Sequence, residues 1–134
     1  MPVRVPTGQV FSHRLCVFAT GSFADQAVLS SSIHQLWATK YSSTLETRLN
    51  YSPSDVFATI PLPQPTPDLD RVGRVLDEER REIMLRRDLG LTKLYNLVND
   101  PGLPDAVDPD VARMRAIHRE LDEVSAQDEV PELL

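Results

Sequence analysis

The sequence predicts an α+β chain: short N-terminal β-strands with one helix, a proline-rich arm, then an antiparallel helical hairpin. Three observations point there. VRV and then QVFSHRLCVFA, in the first 20 residues, are rich in β-branched and aromatic residues, with Thr7 and Gly8 as a turn between them. Apolar residues at three- and four-residue steps fill the second half. Between the halves lies IPLPQPTP, whose alternate prolines donate no backbone hydrogen bond and favour an extended polyproline II run. The predicted divisions are 1–60, 61–67 and 68–134.

Taken in order, the N-terminal strands are too few to make a stable sheet alone. Their partner strands are therefore expected elsewhere, in another chain or upstream in a longer protein. Ser22 then opens a helix, with Asp25 at the third helical position as a variant of the capping box. Phe23, Ala27, Ile33, Leu36, Trp37 and Tyr41 would share most of one stripe, and the small serines Ser30 to Ser32 would let another backbone approach. Leu45 to Tyr51 alternates as a strand, with Glu46, Arg48 and Asn50 on one face. Ser52, Pro53 and Asp55 suit the cap and first turn of a short helix. Tyr51 beside it either stacks on a base or staples the turn.

Thr66 and Pro67 set up the first helix of the hairpin and Gly90 its stop. Leu69, Val72, Leu76 and Ile83 form its apolar stripe, with Glu79 in the slot between. Leu91, Leu94, Tyr95 and Val98 define a short helix, and NDPGLPDAVDP a loop. Asp108 and Pro109 start a last helix with Val111, Met114, Ile117, Leu121 and Val124 on one face. The run Asp77 to Glu82 is expected on a solvated face, with Asp77 and Arg81 paired across one turn. The five glycines are expected at turns.

Composition narrows the function classes. The 134 residues, 41% hydrophobic and 25% charged, suit a soluble globular chain, without an apolar run of membrane-spanning length or a signal-peptide core. Cys16 is the sole cysteine, which excludes an intrachain disulfide and, within LCVF, is expected in the core. A cytoplasmic location fits. The net charge of −6 is split: Arg4, Arg14, Lys40 and Arg48 against Asp25 and Glu46 leave +2 up to Tyr51 and −8 beyond. A polyanion would meet the first part and be repelled by the second.

The residues offer no catalytic constellation. His13, His34 and His118 lack metal-ligand spacing, and no phosphate-binding glycine loop or nucleophile elbow occurs. Binding has more to work with. Arg48 can bridge a guanine edge, Asn50 an adenine edge, and Glu46 can accept from a cytosine amine. Lys40, Arg14 and Arg4 can contact phosphates.

PTGQVFSHRLCVFA, AVLSSSIHQLWATKYSSTLETRLNYSPSDVFATIPLP and RREIMLRRDLGLTKLYNLVNDP together resemble the C-terminal end of large adenine-specific DNA methyltransferases. These are the MmeI-like (type IIL) restriction-modification enzymes and related methyltransferases of the BREX and DISARM phage-defence systems. The resemblance runs from about Pro6 to about Asp122, with the SSS.H..WA, TRLNYSPSDVF…P.P and LTK.YN elements in the family's order and spacing. It implies that 1–60 ends a DNA target-recognition domain, that the proline arm leads out of it, and that 68–134 is a C-terminal helical segment. It also implies a partner, the methyltransferase catalytic domain, upstream or in trans, acting on double-stranded DNA and not on a membrane. The NPPY/F motif and the S-adenosylmethionine loop are missing from this sequence, so no cofactor is expected on this chain and no methylation by it alone. The expected DNA-binding residues are Arg48, Asn50 and Glu46 in the groove, with Lys40 and Arg14 on phosphates. Two other readings stand beside this one: a helical protein-interaction module without DNA contact, and a remnant of a truncated gene.

Overall fold

The computed structural model describes residues 1–10, 16–41, 43–45, 48–50 and 65–128. Its elements are α1 (Phe23–Leu29), α2 (Ser32–Tyr41), β1 (Ser43–Leu45), β2 (Arg48–Asn50), α3 (Pro67–Arg87), α4 (Leu91–Val98) and α5 (Pro109–Asp128). The fold is helical, and the expected α+β architecture with N-terminal strands is not what forms. Residues 1–10 and 16–22 contain no strand; positions 11–15 of the predicted strand lie outside the described residues. Side chains, not a sheet, hold the N-terminal segment. Arg80 Nη2 donates to the Pro2 carbonyl at 2.9 Å, Arg4 Nη1 to the Gly21 carbonyl at 2.9 Å, and the Arg4 guanidinium lies 4.1 Å from the centre of the Phe23 ring. Strand propensity needs a neighbouring edge to act on, and among the described residues no strand pairs with this segment.

The β-structure among the described residues is a three-rung antiparallel ladder, Ser43↔Asn50, Thr44↔Leu49 and Leu45↔Arg48. Pairing Leu45 with Arg48 makes the chain reverse between them, so the continuous strand expected over Leu45–Tyr51 does not form. The short helix expected after Ser52 and most of the proline arm lie outside the described residues.

The helical half follows its pattern closely. Thr66 caps α3, its hydroxyl accepting from the Leu69 amide at 3.2 Å, and Pro67 occupies the first turn, where its missing N–H costs nothing. Asp108 caps α5 by accepting from the Asp110 and Val111 amides. Leu69, Val72, Leu76 and Ile83 of α3 are buried against Met114, Ile117, Leu121 and Val124 of α5, with Leu94 of α4. Each such fully buried side chain contributes about 1.5–3 kcal/mol. Ion pairs mark the antiparallel register: Arg86 with Asp110, Glu79 with Arg113 and Arg71 with Glu120 step down α3 as they step up α5. Glu79 thus reaches across to α5, and Arg80, 3% exposed, fills the inward slot between Leu76 and Ile83. The Asp77–Arg81 pair forms at 2.8 Å, but Asp77 is buried beside Gln26 of α1, so the charge run is not wholly a solvated face.

Helix α1 packs on α3, and Ala24, Ala27 and Val28 join the same core. The core therefore crosses the division drawn at the proline arm. Gly73 makes the crossing possible. It sits in mid-helix and not at a turn, and a β-carbon there would run into the carbonyl of Phe23. The stop of α3 is also different: Asp88, at φ 51° and ψ 46°, takes the left-handed cap position, and Gly90 becomes the N-cap of α4. Cys16 is exposed and not in the core.

Candidate functional site

The one long helix expected after Ser22 is two helices. Ser22 caps α1 as expected, accepting from the Asp25 amide at 3.2 Å. The chain then breaks at Ser30 and Ser31, residues whose side chains compete for nearby backbone groups. The Ser31 hydroxyl donates to the Val28 carbonyl at 2.6 Å and accepts from the His34 amide at 3.3 Å. Ser32 opens α2, and its amide and hydroxyl both donate to the Asp122 carboxylate of α5, at 2.8 and 2.6 Å. A side chain 90 positions away thus caps this helix and ties it to α5. The restart turns α2 so that His34 and Ala38 face inward while Leu36 is 69% exposed and Trp37 half-buried.

The break creates one wall of a groove of about 920 Å³. Leu29, Ser30 to Ser32, His34 and Ala38 line that wall; Tyr95, Val98 and Asn99 from α4 and its end, with Arg115, His118, Arg119 and Asp122 of α5, line the other. Residues of the N-terminal segment, including Pro2 and Phe18, border it.

Its polar groups are held by the helices around them. Arg80 Nη1 donates to the Tyr95 hydroxyl at 3.2 Å, and that hydroxyl lies 2.7 Å from His118 Nε2. The hydroxyl oxygen has two lone pairs, so while it accepts from the guanidinium it can either donate to His118 Nε2 or accept from it; in the neutral imidazole one ring nitrogen carries the hydrogen and the other accepts. Burial, with the Arg80 charge adding to it, lowers the pKa of His118 and favours this neutral form. Burial likewise raises that of the Tyr95 phenol, against the opposing pull of Arg80. On the facing wall His34 Nδ1 lies 2.7 Å from the Leu29 carbonyl; burial lowers its pKa more than this hydrogen bond raises it. Arg115 has a structural task. Its guanidinium donates to the carbonyls of Leu97, Val98, Asp100 and Leu103 and to Asp105, tying down the loop after α4.

The candidate DNA-contacting residues lie apart from this groove. Lys40 is exposed in the last turn of α2, and Arg48 and Asn50 are two apart on β2. Glu46 and Arg14 lie outside the described residues, as do His13 and Tyr51. Among the described residues no group of three or more His, Cys, Asp or Glu is placed to hold a metal ion, and no helix is long and apolar enough to cross a membrane.

The groove residues Tyr95, Arg115, His118 and Arg119 were not legible as a set. The sole signal was Arg80 in the inward slot of the α3 stripe, a position where a charge needs partners from other helices. No family model, curated protein or solved structure matches the chain.

Proposed function

We propose that the chain is the non-catalytic recognition and C-terminal portion of an adenine-N6 site-specific DNA methyltransferase of a restriction-modification or phage-defence system. One observation carries this reading. The segments on which the sequence resemblance rests meet around a single groove: the SSS.H serines and His34 on one wall, Tyr95 of LTK.YN on the other, and Arg80 of RREIM bonded to Tyr95. Such segments have reason to keep their spacing because they build one packed unit. In this reading the helical body docks on the catalytic domain, while Lys40, Arg48 and Asn50 lie near the DNA.

The test is DNA binding by the purified chain, alone and mixed with the catalytic portion of a methyltransferase of that family truncated before the segment corresponding to Pro6. The expected result is salt-sensitive, site-specific binding and adenine methylation by the mixture only, both weakened by Arg48→Ala. Binding and site preference untouched by Arg48→Ala would remove that residue from the reading. Exposed Leu36 and Leu85, at 69% and 77%, favour a second reading, a protein-docking module without DNA contact. Charge reversal at Lys40 and Arg48 would then leave DNA affinity intact, while Leu85→Asp would break the complex.

A further inference from the structure

We propose that protonation of His118 releases the segment around Pro2 from the helical body, which makes this segment a pH-sensitive strap along one rim of the groove. Arg80 is the link that gives way. It is 3% exposed, yet both of its side-chain bonds go to neutral oxygens: Nη1 to the Tyr95 hydroxyl at 3.2 Å and Nη2 to the Pro2 carbonyl at 2.9 Å. Buried charges are ordinarily paired with an opposite charge. The other arginines of α3 follow that rule, Arg71, Arg74, Arg81, Arg86 and Arg87 each meeting a carboxylate. Arg80 instead joins the N-terminal segment to α4.

The same Tyr95 hydroxyl lies 2.7 Å from His118 Nε2, and the two rings meet edge to face with centres 5.4 Å apart. The neutral imidazole adds no charge here, whichever nitrogen carries its hydrogen. On protonation both nitrogens carry one, so Nε2 must donate to the hydroxyl that already accepts from Arg80. Two cations then share one neutral oxygen in a part-buried site, where water screens their repulsion poorly. The other groups around the imidazole come from several elements. Burial raises the pKa of the Cys16 thiol and of the Tyr95 phenol, and both stay neutral. Arg115 and Arg119 of α5 add positive charge; Asp122 adds a negative charge and accepts twice from Ser32. Across the groove, His34 of α2 is bonded to the Leu29 carbonyl. Burial and the Arg80 charge outweigh Asp122 and keep the His118 pKa low. Strain at the shared hydroxyl is relieved when Arg80 swings to water, and Pro2 is its partner outside the helices. Arg4, held by the Gly21 carbonyl and the Phe23 ring, keeps the far end of the strap in place. Met1 and Pro2 line the groove with Tyr95 and His118, so release removes that rim.

The test is NMR of the intact chain, isotope-labelled at its methionine methyl groups and titrated downward from neutral pH. Met1 lies on the strap, and Met84 lines a cleft with Val3 and Arg4. Once the strap is released, His118 takes its proton near the ordinary value of 6.5; while the strap is held, it does so lower. The hold is therefore complete above about 6.5, and below it the released fraction rises by up to about tenfold per pH unit. The expected result is that the Met1 and Met84 signals move in step with the His118 ring signals while the helical circular dichroism stays constant. His118→Gln, which still bonds Tyr95 but gains no charge, should abolish that movement, and His34→Gln should preserve it. Arg80→Met should hold the Met1 signal at its released position at every pH. Met1 and Met84 signals that stay still while His118 titrates, or that move equally in His118→Gln, would overturn the proposal. Helical signal lost in step with Met1 would mean global unfolding and would overturn it too. Either failure leaves DNA binding through Lys40 and Arg48, read by the mixing experiment, untouched.

Discussion

Replacing Gly73 by alanine should destabilise the protein, against the usual direction of that change in a helix. In an exposed helix interior Gly→Ala gains about 1 kcal/mol, because alanine loses less backbone entropy. Here the added β-carbon would sit inside contact distance of the Phe23 carbonyl oxygen, 2.8 Å from its carbonyl carbon and 3.3 Å from the Ala27 β-carbon. Two of these three atoms are backbone, so no side-chain rotation relieves the clash, and α1 must move off α3. Overpacking of this kind costs about 1–3 kcal/mol and occasionally more, and helix displacement belongs at the upper end. The Ala24, Ala27 and Val28 contacts loosen with it. The net expectation is a loss of about 2 kcal/mol. For a chain of this length that lowers Tm by about 7 °C, taking about 3–4 °C per kcal/mol. Thermal and urea unfolding followed by circular dichroism measure it, with Gly21→Ala, where nothing lies within 4 Å, as the control. An unchanged or raised Tm for Gly73→Ala would show that α1 does not cross α3 at this glycine.

Stability should also fall as the pH drops below neutrality. The unfolded chain takes up protons on His34 and His118 near their ordinary value of 6.5, whereas burial holds the folded-state values lower. Stability is therefore full above about 6.5 and declines as the pH falls through the lowered folded values. Asp110, held below its ordinary 3.8 by its hydrogen bond to Arg86, acts in a separate, more acidic window. Urea midpoints between pH 7.5 and 5 would check this, and a flat profile would count against neutral, buried imidazoles. Arg115→Met should cost about 2–3 kcal/mol, since it strips four carbonyls and Asp105 of a charged donor, and should raise amide exchange selectively between Val98 and Asp108. Exchange unchanged in that loop would mean that Arg115 does not hold it.

How much was legible depended on the range of the force involved. The stripe Val111, Met114, Ile117, Leu121 and Val124 is buried as its spacing requires, and the Thr66–Pro67 and Ser22 caps form where their side chains predict. Amphipathic period and capping act within a few residues, so the sequence states them directly. The strand expectations were less secure because a strand is completed by a neighbour. VRV has the composition of a strand, yet among the described residues its segment is held by Arg80 and Arg4. Leu45 to Tyr51 alternates, yet the chain turns back on itself within that stretch.

By itself, then, the sequence determined the helical half: α3, α4 and α5, their apolar faces and the caps that open α3 and α5. The tertiary structure alone decided three things. Gly73 became a crossing point because Phe23, 50 positions earlier, lies over it. The helix after Ser22 broke at its serines because Asp122 receives the restarted end. Arg80, Tyr95 and His118 became one bonded chain across three helices, beside the groove between α2 and α5. Each is a contact between residues far apart in the chain, and a buried polar group is satisfied only by what folding brings beside it.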